Sequence, residues 1–445
     1  MSKLGMWNKA AEVAKQTPED RNRYVDLLRA LSISAVVFGH WLMAAPYWDS
    51  GSAKMDHLLD IQEWSRWLTW IFQVMPVFFF VGGFSNGVSW DGAQNKGQLY
   101  SQWLEARMRR LLGPVVPLVL LWGVLGIIGY LFSIPTGMTR IASQVALVPV
   151  WFLAIYFVIV MLVPISRAAW HRYGFWSVIT PMMLAVIGDL IYFNSAQKWL
   201  GWFNYLFVWS AVHQLGYAWQ QGSLSGAEKS GAIKLFALGC LGLIALTALT
   251  ILGPYPLSLV GVPSQELSNT TPPKITLLAL GLTQIGFLLS IESPMRRWLS
   301  RGKVWTSTVL VNGLIMPIFL WHSTVMMLLI GASFWLLPNL LLAIPGSSDW
   351  WLLRPVWIWV YLIFMLVLLP LFLGLEKTVT ANERKNSSLL RIFIAGVLMC
   401  VGLALLAANG VTGDGPLGLN WLACTLPIIG GFVALFRTPK IFLKK

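Results

Sequence analysis

An imidazole stands where an imidazole is costly. His40 lies inside the apolar run from Leu27 to Pro46, in RALSISAVVFGHWLMAA, and Arg29 stands eleven residues earlier at the mouth of the same run. On a helix rising about 1.5 Å per residue, the two positions are roughly 16 Å apart along the axis. An ionisable group at that depth marks a functional site by default. Imidazole titrates near neutrality and suits a general base. A guanidinium at the membrane edge suits an anion. The pair fits a substrate that is anionic at one end and reactive at the other. The plain alternatives are a histidine that hydrogen-bonds a neighbouring helix and an i,i+3 pair of Asp26 with Arg29 that anchors the helix end.

Other polar residues fall into the same pattern. RMRRLLGP, Arg107 to Pro114, holds three arginines within about a turn, and Arg107 and Arg110 share a face. They form either a phosphate clamp or a basic anchor at the membrane. MPVFFFVGGFSNG, Met75 to Gly87, sets a bulky wall that includes Phe79 beside Gly82 and Gly83, where a ligand or another backbone can approach closely. His322, in IFLWHSTVMM, reaches a depth similar to that of His40. His213 with Gln214 lines a polar path or bridges helices. Asp189 either orients an imidazole or faces outside water. Trp48, Trp199 and Trp202 fit sugar stacking and interfacial belting equally. His57 and His171 fall in loops and carry no signal, and Cys240, Cys400 and Cys424 lack metal or disulfide spacing.

The elements that must position these groups are membrane helices. Hydrophobic residues make up 57% of the 445, charged residues 11%, and mean hydropathy is +0.67. That excludes a soluble domain. Apolar runs of spanning length recur near 27–46, 66–88, 111–132, 147–166, 174–193, 201–219, 232–252, 275–291, 308–336, 355–375, 390–408 and 417–436, which predicts an all-α bundle of twelve spans. With both ends inside, the basic stretches RMRR, RAAWHR, RRWLSRGK, KTVTANERK and the PKIFLKK tail face the cytoplasm. Only Lys54, Arg66, Arg140, Lys198, Lys274 and Arg354 of the 32 Lys and Arg then fall outside. The net charge of +14 is thus topological and does not call for nucleic acid. The polar stretch before the first span lacks an apolar signal region, so no cleavable signal peptide is expected. No internal repeat of the inverted transporter kind is evident. The expected partner on all sides is the lipid bilayer, and nothing in the sequence sets an oligomeric state.

These residues resemble the integral-membrane acyltransferase-3 family. Its first-helix signature, an arginine, ten residues and a histidine, is similar to Arg29 and His40 in RYVDLLRALSISAVVFGH. Its FFFxSGF block resembles FFFVGGF at Phe78 to Phe84, with Gly82 where serine is usual. Its RxxR pair resembles Arg107 and Arg110, its tryptophan-led fourth helix WFLAIYF from Trp151, and its late histidine helix LWHS at Leu320 to Ser323. The resemblance implies a core over 23–375, after a segment 1–22 and before two added helices in 376–445. It implies an O-acyltransferase of the inner membrane that moves an acyl group, acetyl above all, from acyl-coenzyme A to a saccharide or glycolipid of the cell envelope, without a metal. Arg29, Arg107 and Arg110 would hold coenzyme A phosphates, and the arm would pass Phe79, Gly82 and Gly83. His40 would act as base or acyl relay, and His322 would stabilise the oxyanion or place the acceptor. Asp189 and Trp151 would meet the acceptor. The rival class is a transporter or flippase, since intramembrane His and Arg also mark substrate pathways.

Overall fold

The computed structural model describes residues 3–380 and 388–435, with side chains for 5–375 and 388–434. The basic residues Arg384, Lys385, Lys440, Lys444 and Lys445, used above for topology, lie outside the described residues. In chain order the helices are α1 (Lys3–Lys15), α2 (Arg23–Met43), α3 (Met75–Asn95), α4 (Tyr100–Leu111), α5 (Val115–Leu131), α6 (Thr136–Met161), α7 (Val163–Tyr173), α8 (Trp176–Asn194), α9 (Asn204–Gln220), α10 (Lys229–Thr247), α11 (Ile275–Ser290), α12 (Glu292–Leu299), α13 (Gly302–Leu336), α14 (Ser348–Thr380), α15 (Leu389–Asn409) and α16 (Trp421–Leu435), with one-turn segments between some of them.

The all-α expectation needs one correction. Past α2 the chain forms an antiparallel hairpin, β1 (Ala44–Asp49) with β2 (Ser52–His57), in which Ala44 pairs with His57 and Asp49 with Ser52. Ser50 and Gly51 both have positive φ, at 52° and 77°. A two-residue turn of that hand matches the twist of the flanking strands. The hairpin buries Ala45 against Leu58 and Trp350.

Among the described residues, eight helical stretches are long and apolar enough to cross a membrane, and ten if two bent pairs count as single spans. The pairs are α4 with α5, bent by 41°, and α11 with α12, bent by 57°. Two of the twelve expected spans are shorter than a full crossing. α9 has 17 residues and buries most of them, including Asn204, His213 and Gln214. A helix enclosed by protein does not need a lipid-like sequence. α16 has 15 residues, and before it the chain makes a tight turn with Leu417 at φ 58°. The outward apolar faces are what lipid requires: on α14, Leu352 is 75% exposed and Val367 68%. The chain is a multi-pass membrane protein.

Among the described residues the chain divides into two compact units. One comprises Met1–Asp91, Leu162–Met316 and Ala332–Trp359; the other comprises Gly92–Met161, Pro317–Gly331 and Val360–Lys445. In the first, α3 crosses α9 backbone to backbone. A Cβ on Gly83 would lie 1.8 Å from the His213 carbonyl oxygen, and one on Gly216 would lie 2.2 Å from that of Phe80. Phe79 stacks on Trp209 at 4.5 Å and Phe80 on Trp219 at 5.1 Å. In the second unit the last two helices are part of the body. Gly396 of α15 faces Phe157, Gln144 donates to the Ala408 carbonyl at 2.6 Å, and Cys400 Sγ reaches the Ala154 carbonyl at 3.4 Å.

The α3–α9 crossing yields a direct test. Gly83→Ala forces the two backbones apart, and overpacking of this kind costs about 1–3 kcal/mol. Its melting temperature in detergent, read by scanning fluorimetry, is expected to fall. Gly92→Ala, whose Cβ meets nothing within 4 Å, should melt with the wild type. Equal melting of both variants would remove the close crossing.

Candidate active site

One uninterrupted helix carries both Arg29 and His40. Asn22 caps α2 by accepting from the Tyr24 amide at 3.1 Å, and Asp26 lies in the first turn, where a carboxylate favours the helix dipole. The expected Asp26–Arg29 pair is present at 3.7 Å. Asp26 is also gripped by Arg21 in a fork, at 2.7 and 2.9 Å. The Arg29 guanidinium donates to Ser85 Oγ at 2.8 Å, which ties α2 to α3, while a quarter of the side chain stays exposed. A hydroxyl therefore does meet this arginine, from one turn beyond Gly82.

At the other end of α2, His40 occupies the last turn and is partly buried. The hairpin folds His57 back to this end, close enough for the two imidazoles to interact electrostatically. His57 Nδ1 accepts from the Leu59 amide at 3.3 Å, which leaves its proton on Nε2. Burial pushes the His57 pKa below the usual value, so this ring is held neutral. The sequence placed His57 in a loop without signal, and the structure corrects that. The clue was the Asp-Ser-Gly turn after two aromatic residues.

Within the second unit the three arginines of α4 separate by role. Arg109 turns inward, paired with Glu105 at 2.7 Å and donating to the Ala434 carbonyl at 3.2 Å. Arg110 is exposed, and Arg107 is half-buried with its guanidinium 5.4 Å above the Trp103 ring. Arg107 and Arg110 thus lie off the packed side of α4, as their spacing requires. His322 is fully buried in α13. Its Nδ1 lies 2.7 Å from the Phe319 carbonyl and its Nε2 3.1 Å from Ser323 Oγ. A carbonyl only accepts, so Nδ1 carries the proton and Nε2 accepts from the serine. Trp151 is partly buried on α6, edge-on to Phe152.

A family model described as an acyltransferase domain, of the acyltransferase-3 type, matches residues 22–374. The chain belongs to that family. No curated protein and no solved structure matches it. The match opens at Asn22, the cap of the Arg29–His40 helix, and closes within α14, so α15 and α16 lie beyond it.

For an acyltransferase-3 chain, several expected site residues are taken up by packing. Phe79 and Gly83 build the α3–α9 contact described above. His213 bridges helices, with Nε2 3.1 Å from Asn86 Nδ2, and Gln214 donates to the Ser177 carbonyl at 2.9 Å. Asp189 does not face water: it is 1% exposed and accepts from Asn204 at 2.8 Å, Tyr255 at 3.0 Å and the Ile275 amide at 2.8 Å. Sequence reasoning missed the pair of buried Arg167 with Asp91 at 2.5 Å, reinforced by Gln220 at 2.7 Å. It read Arg167 only as part of a basic loop.

Beside Asp189, Lys274 is fully buried with its ammonium 3.4 Å from the Tyr192 ring centroid. Burial pulls its pKa down to about 8 from 10.5, against the opposing pull of Asp189. Between pH 8 and about 9.5 the unfolded chain then holds this proton more tightly than the folded one, so stability rises with pH. Tyr255, kept un-ionised by burial and by Asp189, opposes this only nearer pH 10, where a free tyrosine ionises. The melting temperature is expected to climb from pH 8 to about 9.5, and Lys274→Met should flatten the climb. An unchanged slope in the variant would refute the assignment.

Proposed function

We propose that the protein transfers an acyl group, acetyl in the simplest case, from cytoplasmic acyl-coenzyme A to a hydroxyl of an envelope saccharide or glycolipid in the inner membrane. The observation that carries this reading is α2: one capped helix that holds Arg29 and His40 eleven residues apart, within a chain of the acyltransferase-3 family. Arg107 and Arg110 present guanidinium groups suited to phosphates, and Arg29 adds a third. His40 takes the proton of the acceptor hydroxyl as its oxygen attacks the thioester carbonyl and the coenzyme A thiol leaves. The same imidazole can instead attack the thioester and pass the acyl group on. His322 is proposed to stabilise the oxyanion or place the acceptor, and either role requires it to give up a present hydrogen bond. Trp151 supplies a ring for the acceptor. Asp189 serves this reading only by tying down the loop before α11.

The test uses the full-length protein in nanodiscs with radiolabelled acetyl-coenzyme A and envelope extract. His40→Ala is expected to abolish label transfer to lipid or glycan. Arg107→Ala with Arg110→Ala should raise KM for acetyl-coenzyme A by roughly tenfold or more, as loss of charge-assisted bonds does. Wild-type transfer by His40→Ala would end the catalytic assignment, and substrate flux without any acyl product would establish a transporter instead.

A further inference from the structure

α2 ends under an unusual load. After His40, the helix closes with the Ala44 amide donating to the His40 carbonyl, and the chain turns extended into β1. The next carbonyls point along the axis and carry the negative end of the helix dipole. They do not face solvent. Arg354, from the second turn of α14, donates to the carbonyls of Trp41 at 3.0 Å and Leu42 at 2.9 Å, and to that of Ala44. Its side chain is 3% exposed, and its guanidinium lies 4.5 Å above the Trp350 ring.

A buried guanidinium is stable only where its surroundings compensate it. Here the helix end supplies compensation: three carbonyl oxygens and an aromatic face. Cation and helix terminus therefore hold each other. The arrangement is also stiff. Trp350 packs with Ala45 and Leu58, so the ring under the guanidinium is fixed by the hairpin itself. Ala44, the last acceptor, is the strand partner of His57. A single side chain thus sets the height of the His40 turn and the root of the strand pair that returns His57 to it.

We infer that Arg354 is a positioning residue for His40, acting through the C-terminal carbonyls of α2. The inference rests on the reading of His40 as the reacting imidazole. The guanidinium suits this role because its Nη2 reaches the helix-end carbonyls while its flat face lies over the Trp350 ring, whereas a lysine ammonium is a point charge with no plane to stack. Because the group is buried with its Nη2 on backbone carbonyls, its loss should change turnover and leave acyl donor binding alone.

The transfer assay above decides between outcomes when run on Arg354→Met and Arg354→Lys. In Arg354→Met, kcat is expected to fall by about ten- to a hundredfold, as an ångström-scale misplacement of a catalytic group does, with KM for acetyl-coenzyme A within about twofold. Arg354→Lys should recover part of the loss, because the charge at the helix end returns. A structural readout runs beside the kinetic one: the rate at which diethyl pyrocarbonate modifies His40, followed by mass spectrometry, should change in Arg354→Met. If that variant does not fold, Trp350→Leu, which keeps the cation but removes the ring beneath it, should show the same kcat-only loss on a smaller scale. Wild-type kcat with unchanged His40 modification would overturn the inference, as would a loss confined to KM. Should His40→Ala retain transfer, the catalytic reading fails, and the modification rate alone then decides whether Arg354 holds this turn in place.

Discussion

In a lipid surrounding, a charge must find its counterpart inside the protein, and this structure is organised around meeting that demand. Asp26 is held by Arg21 and Arg29, Asp91 by Arg167, Glu105 by Arg109, and Glu292 by Arg296 and the Trp219 indole. Where both partners are buried, as in Glu105 with Arg109, taking one away costs about 3–5 kcal/mol, because the other charge is left without solvent or counterion. The pairs with an exposed arginine, such as Arg21 and Arg296, hold their carboxylates more weakly. Once Arg109 turns inward to Glu105, Arg107 and Arg110 are committed to the other side of α4. Asp26, gripped at the start of α2, and His40 lie on the same unbroken helix, about four turns apart.

The same demand separates binding groups from structural ones. Arg29 is the intermediate case: Asp26 and Ser85 hold part of its guanidinium, yet a quarter of the side chain remains open. Arg109 is closed off with its carboxylate, and Arg167 is buried against a partly exposed Asp91. A count of arginines at a membrane edge cannot distinguish these cases, since all contribute equally to the charge bias of a loop.

Much of the fold and part of the site could be read from the residues. The Arg29–His40 spacing implied one unbroken helix, and the structure has it, with the Asp26 pair in place. The shared face of Arg107 and Arg110 follows from helical geometry alone. What escaped was set by partners far away in sequence. Arg167 reads as one more loop cation because Asp91 stands 76 residues before it. α9 resembles a full span by its apolar content, yet it has 17 residues, most of them buried inside protein. The hairpin escaped because a lone two-residue turn of Ser50 and Gly51 gives a weak local signal beside twenty-residue apolar runs. With it went His57, which reaches the end of α2 only through strand pairing.

The block from Met75 to Gly87 divides its work between apolar and polar residues. Its aromatic and glycine residues read either as the wall of a passage or as a close helix contact, since bulky rings beside missing side chains can admit a ligand or a backbone. In the structure the rings of Phe79 and Phe80 lie flat on tryptophans of α9, and Gly83 admits a backbone, that of His213. The polar end of the block, Ser85 and Asn86, makes the connections that bear on chemistry: one to Arg29, the other to His213. Close helix packing is what brings a hydroxyl on α3 within 2.8 Å of an arginine on α2. The apolar residues therefore set the approach of the helices, and the short polar residues that follow them make the hydrogen bonds across it.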